Sequence, residues 1–177
     1  MPEPVTGPVV VVGAGQAGMQ LVTSLRQLGA TMPVTLVGAE PHPPYERPPL
    51  SKAFLKGELE ASRLVFKRPQ AYADMDVDLR LATAVTAIDR DARTVELASG
   101  ERLPYAVLVL ATGSRARRLR IPGADLDGVV TLRGLDDAAA LRARVRPGLE
   151  VAVVGGGYIG MEIAASLTKL GAAVTVI

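Results

Sequence analysis

Gly13-Ala14-Gly15-Gln16-Ala17-Gly18 and Gly155-Gly156-Gly157-Tyr158-Ile159-Gly160 share one spacing of three glycines, 142 positions apart. A glycine turn that opens a helix gathers backbone N–H groups at the positive end of the helix dipole, an arrangement suited to a dinucleotide pyrophosphate. The first glycine permits the tight turn, the second lets the backbone approach the phosphates, and the third lets helix and strand pack closely. Beyond the first turn, Arg47 and Lys52 lie in the proline-rich run from Pro41 to Lys52. Cations at that place can hold a phosphate or the electron-rich edge of a reduced ring.

Such turns work only when a strand precedes them and a helix follows. Val9 to Val12 is a short apolar strand, and Ala17, Leu21, Val22, Leu25 and Leu28 form an apolar stripe at helical spacing up to Gly29. Val34 to Val37 supplies the next strand. The unit recurs from Val151, with a stripe at Ile159, Ile163, Ala164, Leu167 and Leu170 ending at Gly171. The copies also share Met19/Met161, Ser24/Ser166, Leu25/Leu167, Leu28/Leu170 and Ala30/Ala172. The fold class expected is α/β, with two Rossmann-like dinucleotide-binding units, the second ending at Ile177 before its full length.

The first unit offers Glu40, in Gly38-Ala39-Glu40, as the acidic residue for ribose hydroxyls after the second strand. Between the units, Val77 to Leu81, Ala84 to Asp89, Thr94 to Leu97 and Arg102 to Tyr105 read as short strands, with Ser99-Gly100 as a turn. Ala106 to Leu110 is a fully apolar strand ending in Ala111-Thr112-Gly113, small residues that permit close approach of a ligand. Asp136 to Val145 reads as a helix. The expected division is 1–115 and 116–177, with a β-meander at about 76–105.

Composition narrows the chemistry. The 177 residues are 49% hydrophobic, 3% aromatic and 21% charged, which supports an aliphatic core. A net charge of +2 lacks the dominant basic balance of a nucleic-acid binder. There is no cysteine, so disulfides, thiolate metal sites and a redox dithiol are excluded from this stretch, and His42 alone makes no metal site. No apolar run approaches the roughly 18 residues of a membrane span, and Met1 to Pro8 lacks a signal-peptide pattern, so a cytoplasmic location is expected. The run Arg115, Arg117, Arg118 and Arg120 reads first as a solvated basic face, and second as a docking surface for an acidic protein.

The order of the first glycine turn, PPYERPPLSKAFLKGEL, LVLATGSRARRLRIPG and VVGGGYIGMEIA resembles the bacterial FAD-dependent ferredoxin reductases, the putidaredoxin, rubredoxin and dioxygenase reductases. The resemblance covers essentially the whole chain. It implies that the first unit binds FAD and the second NADH or NADPH, and that electrons pass to a ferredoxin-type iron–sulfur protein serving an oxygenase. Lys52 is then expected beside the flavin N5 edge, with Glu162 as its partner. Arg47 and Pro48 are expected along the flavin and phosphates, Val85 at the adenine, Ala111, Thr112 and Gly113 as a second FAD contact, and Arg133 near the flavin phosphates. Gly13, Gly15, Ala17, Gly18 and Glu40 complete the FAD set, and Gly155, Gly157, Tyr158, Ile159 and Gly160 form the NAD(P) set.

The chain departs from the family at Ala39, where many relatives carry the acidic ribose ligand, and at Ala116, where proline is frequent. The resemblance places beyond Ile177 the residue that selects NADH or NADPH, the rest of the nicotinamide domain, an aspartate near the ribityl chain and a C-terminal domain. Two other readings stand beside the reductase: a flavoprotein of the apoptosis-inducing-factor type, and a nucleotide-binding fragment inactive by itself. Relatives that reduce disulfides or peroxides place cysteines near the flavin, and one of those places holds Tyr45 to Lys52 here.

Overall fold

A computed structural model describes residues 6–177, which fall into two units. The first comprises the described residues up to Tyr45 together with Val65–Ser114, and the second comprises Glu46–Leu64 with Arg115–Ile177.

The first unit is built on β1 (Val9–Val12), β2 (Val34–Val37), β3 (Val77–Arg80) and β7 (Val107–Leu110), a parallel sheet in the order β3-β2-β1-β7. Val9 is in register with Val34 on one side and Val107 on the other. Four consecutive valines form β1 because a strand covered on both faces favours β-branched apolar residues throughout. Val9 and Val11 pack with Met19 and Val22 of α1 (Gln16–Gln27) and with Tyr72 of α2 (Pro69–Asp74). Val10 points the other way, onto Val95, Leu97 and Leu103 of the antiparallel meander β4 (Val85–Asp89), β5 (Thr94–Leu97) and β6 (Arg102–Pro104). The period-2 alternation of β1 thus fixes two layers, helices on one face and the meander on the other.

Two local readings change. Val77–Arg80 pairs in parallel with β2, so it belongs to the main sheet, and the meander begins at Val85. The stretch before β3 contains α2, a helix that the apolar spacing does not announce. Pro69 stands at the first helical position, and six residues are too few to display a helical stripe.

The second unit holds a 3₁₀ turn at Pro48–Ser51, another at Ala61–Arg63, and α3 (Leu135–Arg144), β8 (Glu150–Val153), α4 (Tyr158–Lys169) and β9 (Ala173–Val176). β8 and β9 pair in parallel. The core gathers Leu55 and Leu167 with partly buried Leu141, Val151, Ile163 and Val174. Leu55 is fully buried, which anchors the proline-rich segment in this unit; burying a leucine contributes ~1.5–3 kcal/mol. The helices α1 and α4 are each twelve residues long, begin after Gly15 and Gly157, and are followed by Gly29 and Gly171 in the left-handed region.

Candidate functional site

In the first unit, the carboxyl ends of β1, β2 and β7 meet at a switch in strand order, since β1 is flanked by β2 on one side and β7 on the other. Ligands of open parallel sheets bind in the crevice outside such a point. Gly13 has φ +117° and donates its N–H to the Val37 carbonyl at 2.8 Å. A Cβ at Gly13 would run into the Ala111 carbonyl, so the Ala111-Thr112 backbone lies directly against the turn. A Cβ on Gly38 would come within 2.6 Å of the Ala14 side chain. Small residues at Gly13, Ala14, Gly38 and Ala111 let the three strand ends close up.

The two helix-side glycines differ in what surrounds them. A side chain at Gly18 would collide with the Gly13 carbonyl oxygen, whereas one at Gly15 would meet nothing within 4 Å. Gly18 is therefore required for packing, and Gly15 faces open space at a helix N-terminus that no side chain caps. Backbone N–H groups left without intrahelical partners at such an end suit an anionic ligand. The second copy repeats the pattern. Gly155 has φ +108°, a Cβ at Gly160 would strike the Gly155 carbonyl, Gly157 faces open space, and α4 has no side-chain cap.

The stripes change at these mouths. Ala17 and Ile159 occupy the same place in the two copies, and both stand exposed in the first helical turn instead of lining the core. The buried face of α1 is Gly18, Met19 and Val22, and that of α4 is Ala164, Ser166 and Leu167. Tyr158 is 93% exposed beside Ile159.

Glu40 follows β2, and its carboxylate accepts the Tyr45 hydroxyl at 2.5 Å, while its carbonyl accepts the Ala82 N–H. Thr83, next to this contact, donates its N–H to the Gly38 carbonyl, which brings the start of the meander and Val85 toward the end of β2.

In the second unit, Lys52 Nζ lies 2.7 Å from Glu162 Oε2. The Ser51 hydroxyl donates to the same oxygen at 2.7 Å, and the Ser166 hydroxyl donates to the Ser51 carbonyl, also at 2.7 Å. These hydrogen bonds, that from Lys52 first and that from Ser51 second, hold the Glu162 carboxyl below the ordinary carboxylate range. Arg47 donates to the Arg133 carbonyl at 2.8 Å, and the Arg133 and Gly134 N–H groups donate to Asp137 at the start of α3. Arg115, Arg117, Arg118 and Arg120 are exposed. Among the described residues, no group of three or more His, Cys, Asp or Glu is placed to hold a metal, and no helix is long and apolar enough to cross a membrane.

A family model for pyridine nucleotide-disulphide oxidoreductases matches residues 7–177. The chain belongs to this family.

Within the family, it is 47% identical over 174 residues to the ferredoxin–NAD(+) reductase component of the anthranilate 1,2-dioxygenase system of Burkholderia cepacia, covering 96% of this chain and 42% of that protein. It is 43% identical over 169 residues to the probable ferredoxin reductase CtmF of Castellaniella defragrans, covering 96% and 41%. A crystal structure of a covalent putidaredoxin reductase–putidaredoxin complex superposes with a TM-score of 0.89 at 40% identity, covering 96% of this chain and 41% of that one. The chain therefore spans about two fifths of the length of these pyridine nucleotide-disulphide oxidoreductases.

The structure thus brings together Gly13, Gly38, Ala111 and Thr112 in one unit and Lys52 with Glu162 in the other. Arg47 meets the Arg133 backbone. Pro48 opens the 3₁₀ turn that carries Lys52, and its carbonyl accepts from Lys52 Nζ at 3.3 Å. Gly113 has φ +68° just beyond Thr112. Sequence reasoning missed Ser51, Ser166 and Tyr45. Ser51 lies beside Lys52 in a run already singled out, and Ser166 is a position shared by the two copies, so each left a trace without a role.

Proposed function

We propose that this chain is part of an FAD-dependent oxidoreductase that takes electrons from NAD(P)H and delivers them to a ferredoxin-type iron–sulfur protein serving an oxygenase. The observation that carries the reading is the Lys52–Glu162 pair, set close to the start of the helix that the second glycine turn opens. The names of the relatives support the direction of electron flow. A cytoplasmic location is part of the same proposal.

The residues fit a dinucleotide. At each turn the middle glycine leaves open the space that a Cβ would fill, and the adjoining helix end has no side-chain cap. Gly13, Gly15, Ala17 and Gly18, with Ala111, Thr112 and Gly113, would hold FAD, while Gly155, Gly157, Tyr158, Ile159 and Gly160 would hold NAD(P)H. Glu40, one position past the usual acidic site, would take the ribose hydroxyls, with Val85 at the adenine. Arg47, Pro48 and Arg133 would line the flavin and its phosphates. FAD, when bound, supplies two-electron acceptance from the nicotinamide and one-electron release to the partner.

The remaining work falls to side chains. Lys52 places a positive charge where negative charge develops on a reduced ring, a contribution that is strongest where water is excluded. Glu162 holds that ammonium in orientation and balances its charge. No acid–base triad is needed, and the division into an FAD unit and an NAD(P) unit follows from the two turns.

The test is reduction of cytochrome c by the full-length protein with NADH or NADPH, through an added purified ferredoxin. Ferredoxin-dependent turnover that falls at least tenfold in Lys52→Met supports the reading. Flavin-loaded protein that reduces no ferredoxin with either nucleotide would overturn it and favour the interaction-type flavoprotein.

A further inference from the structure

Tyrosines aside, the buried polar side chains among the described residues are Ser51 and Ser166, 4% and 5% exposed. Both act on the same short segment. Ser166 holds the Ser51 carbonyl, and Ser51 holds Glu162. Glu162 and Ser166 are four residues apart on α4 and so lie on one face, which packs against the 3₁₀ turn Pro48–Ser51. At the equivalent place in the first copy, Ser24 only accepts a bond from Gln20 at the surface. The second copy has turned a shared repeat position toward the lysine-bearing turn.

The three donors and acceptors differ in freedom. Lys52 is long and its side chain is 48% exposed, so an ion pair of this kind holds its geometry weakly. Ser51 is short, buried and fixed through its own carbonyl. Its hydroxyl has one proton and two acceptors in reach, Glu162 at 2.7 Å and the Pro48 carbonyl at 3.5 Å, and the short bond to the charged group prevails. The Glu162 carboxylate therefore keeps a donor whether or not Lys52 is turned toward it.

We propose that Ser51 is a positioning residue: its hydroxyl keeps the Glu162 carboxylate in place while the Lys52 ammonium moves between that carboxylate and the negative charge arising on the electron-accepting ring. Ser166 sets the angle of Ser51 for this task. The inference rests on the reading of Lys52 and Glu162 given above. Lys52 is the charged group facing Glu162 from the turn. β9 carries no titratable side chain, β8 carries only Glu150 at its far end, and on α4 the exposed Tyr158 lies one turn before Glu162.

The experiment compares full-length flavoprotein carrying Ser51→Ala, Ser51→Cys, Ser51→Thr, Ser166→Ala or Glu162→Gln with the parent. One readout is the Glu162 carboxyl titration, taken as the infrared difference against Glu162→Gln; the other is the pH profile of flavin reduction by NAD(P)H in stopped flow. In Ser51→Ala the carboxyl should titrate at higher pH, the acid limb should move the same way, and reduction at neutral pH should slow about tenfold, the scale of one lost hydrogen bond to a charged group. Ser51→Cys, which keeps a group at the γ position but donates weakly, should follow Ser51→Ala, so a misfolded alanine variant leaves the test intact. Ser51→Thr should return both readouts to the parent values, and Ser166→Ala should move them toward Ser51→Ala.

A Glu162 titration unchanged in both Ser51→Ala and Ser51→Cys would overturn the proposal. Unchanged flavin reduction in Glu162→Gln would instead overturn the reading on which it rests, while the infrared titration would still decide whether Ser51 holds the carboxylate.

Discussion

Lys52 Nζ and Glu162 Oε2 meet at 2.7 Å with side chains 48% and 33% exposed. An ion pair so open to solvent adds little to stability, because water and salt screen it. Its Glu162 carboxyl is held below an ordinary value of 4.5 in the folded chain. The native state thus favours the ionised form, so the contribution is present above about pH 4.5 and is lost as the pH falls through the lower, folded value. Thermal melts of the parent and Glu162→Gln should differ slightly at pH 7 and converge in acid.

Tyr72 is fully buried beneath the parallel sheet, and its hydroxyl has no hydrogen-bond partner. Replacing it by phenylalanine removes an unsatisfied polar atom and leaves the ring in place, so Tyr72→Phe should stabilise the chain by about 1 kcal/mol in urea titrations. Burial also pushes the phenol from 10.0 up to about 12. The unfolded chain deprotonates first, so the parent should lose stability as the pH rises from 10 toward 12. Tyr72→Phe should lack that component.

Gly15 and Gly18 make a matched pair for separating binding from folding. Gly15→Ala places its methyl in open space with an ordinary extended φ of −95°, so the fold should persist while nucleotide retention falls. Gly18→Ala drives a methyl into the Gly13 carbonyl and should cost ~1–3 kcal/mol, the range for overpacking a close contact. Urea denaturation and FAD retention on gel filtration, measured together on the full-length protein, distinguish the two.

Arg26 closes the lower end of the first unit. It donates to the carbonyls of Ala30, Met32, Met75 and Asp76 at 2.7–2.9 Å, tying the end of α1 to the end of α2. Arg26→Ala should destabilise by about 2 kcal/mol or more, and Arg26→Lys should recover only part, because an ammonium cannot reproduce the planar fork. A urea titration of each variant checks this.

The repeat was legible because each copy is a local device. Gly13 and Gly155 need their left-handed geometry whatever the remainder of the chain does, and the 142-residue offset exposes the duplication. The Lys52–Glu162 contact was not legible from spacing, and only the family resemblance joined the two. Ser51 and Ser166 were less visible still, since a serine declares a role only when burial removes its access to water. The sheet of β3 is not legible in its sequence, because four alternating residues have the same pattern at the edge of a parallel sheet as in a meander. α2 is likewise illegible, because a six-residue helix owes its existence to Tyr72 packing in the core, not to its own periodicity.

The register of Val9 with Val107 has a consequence for the order of assembly. β1 is made before its second neighbour, β7, and the whole meander lies between them in sequence. Until β7 is in place one edge of an all-valine strand is unpaired, which is the condition that invites association between chains. Long-range parallel pairing is also slow to form. Closing that edge therefore waits on β4, β5 and β6, which separate β1 from β7 along the chain.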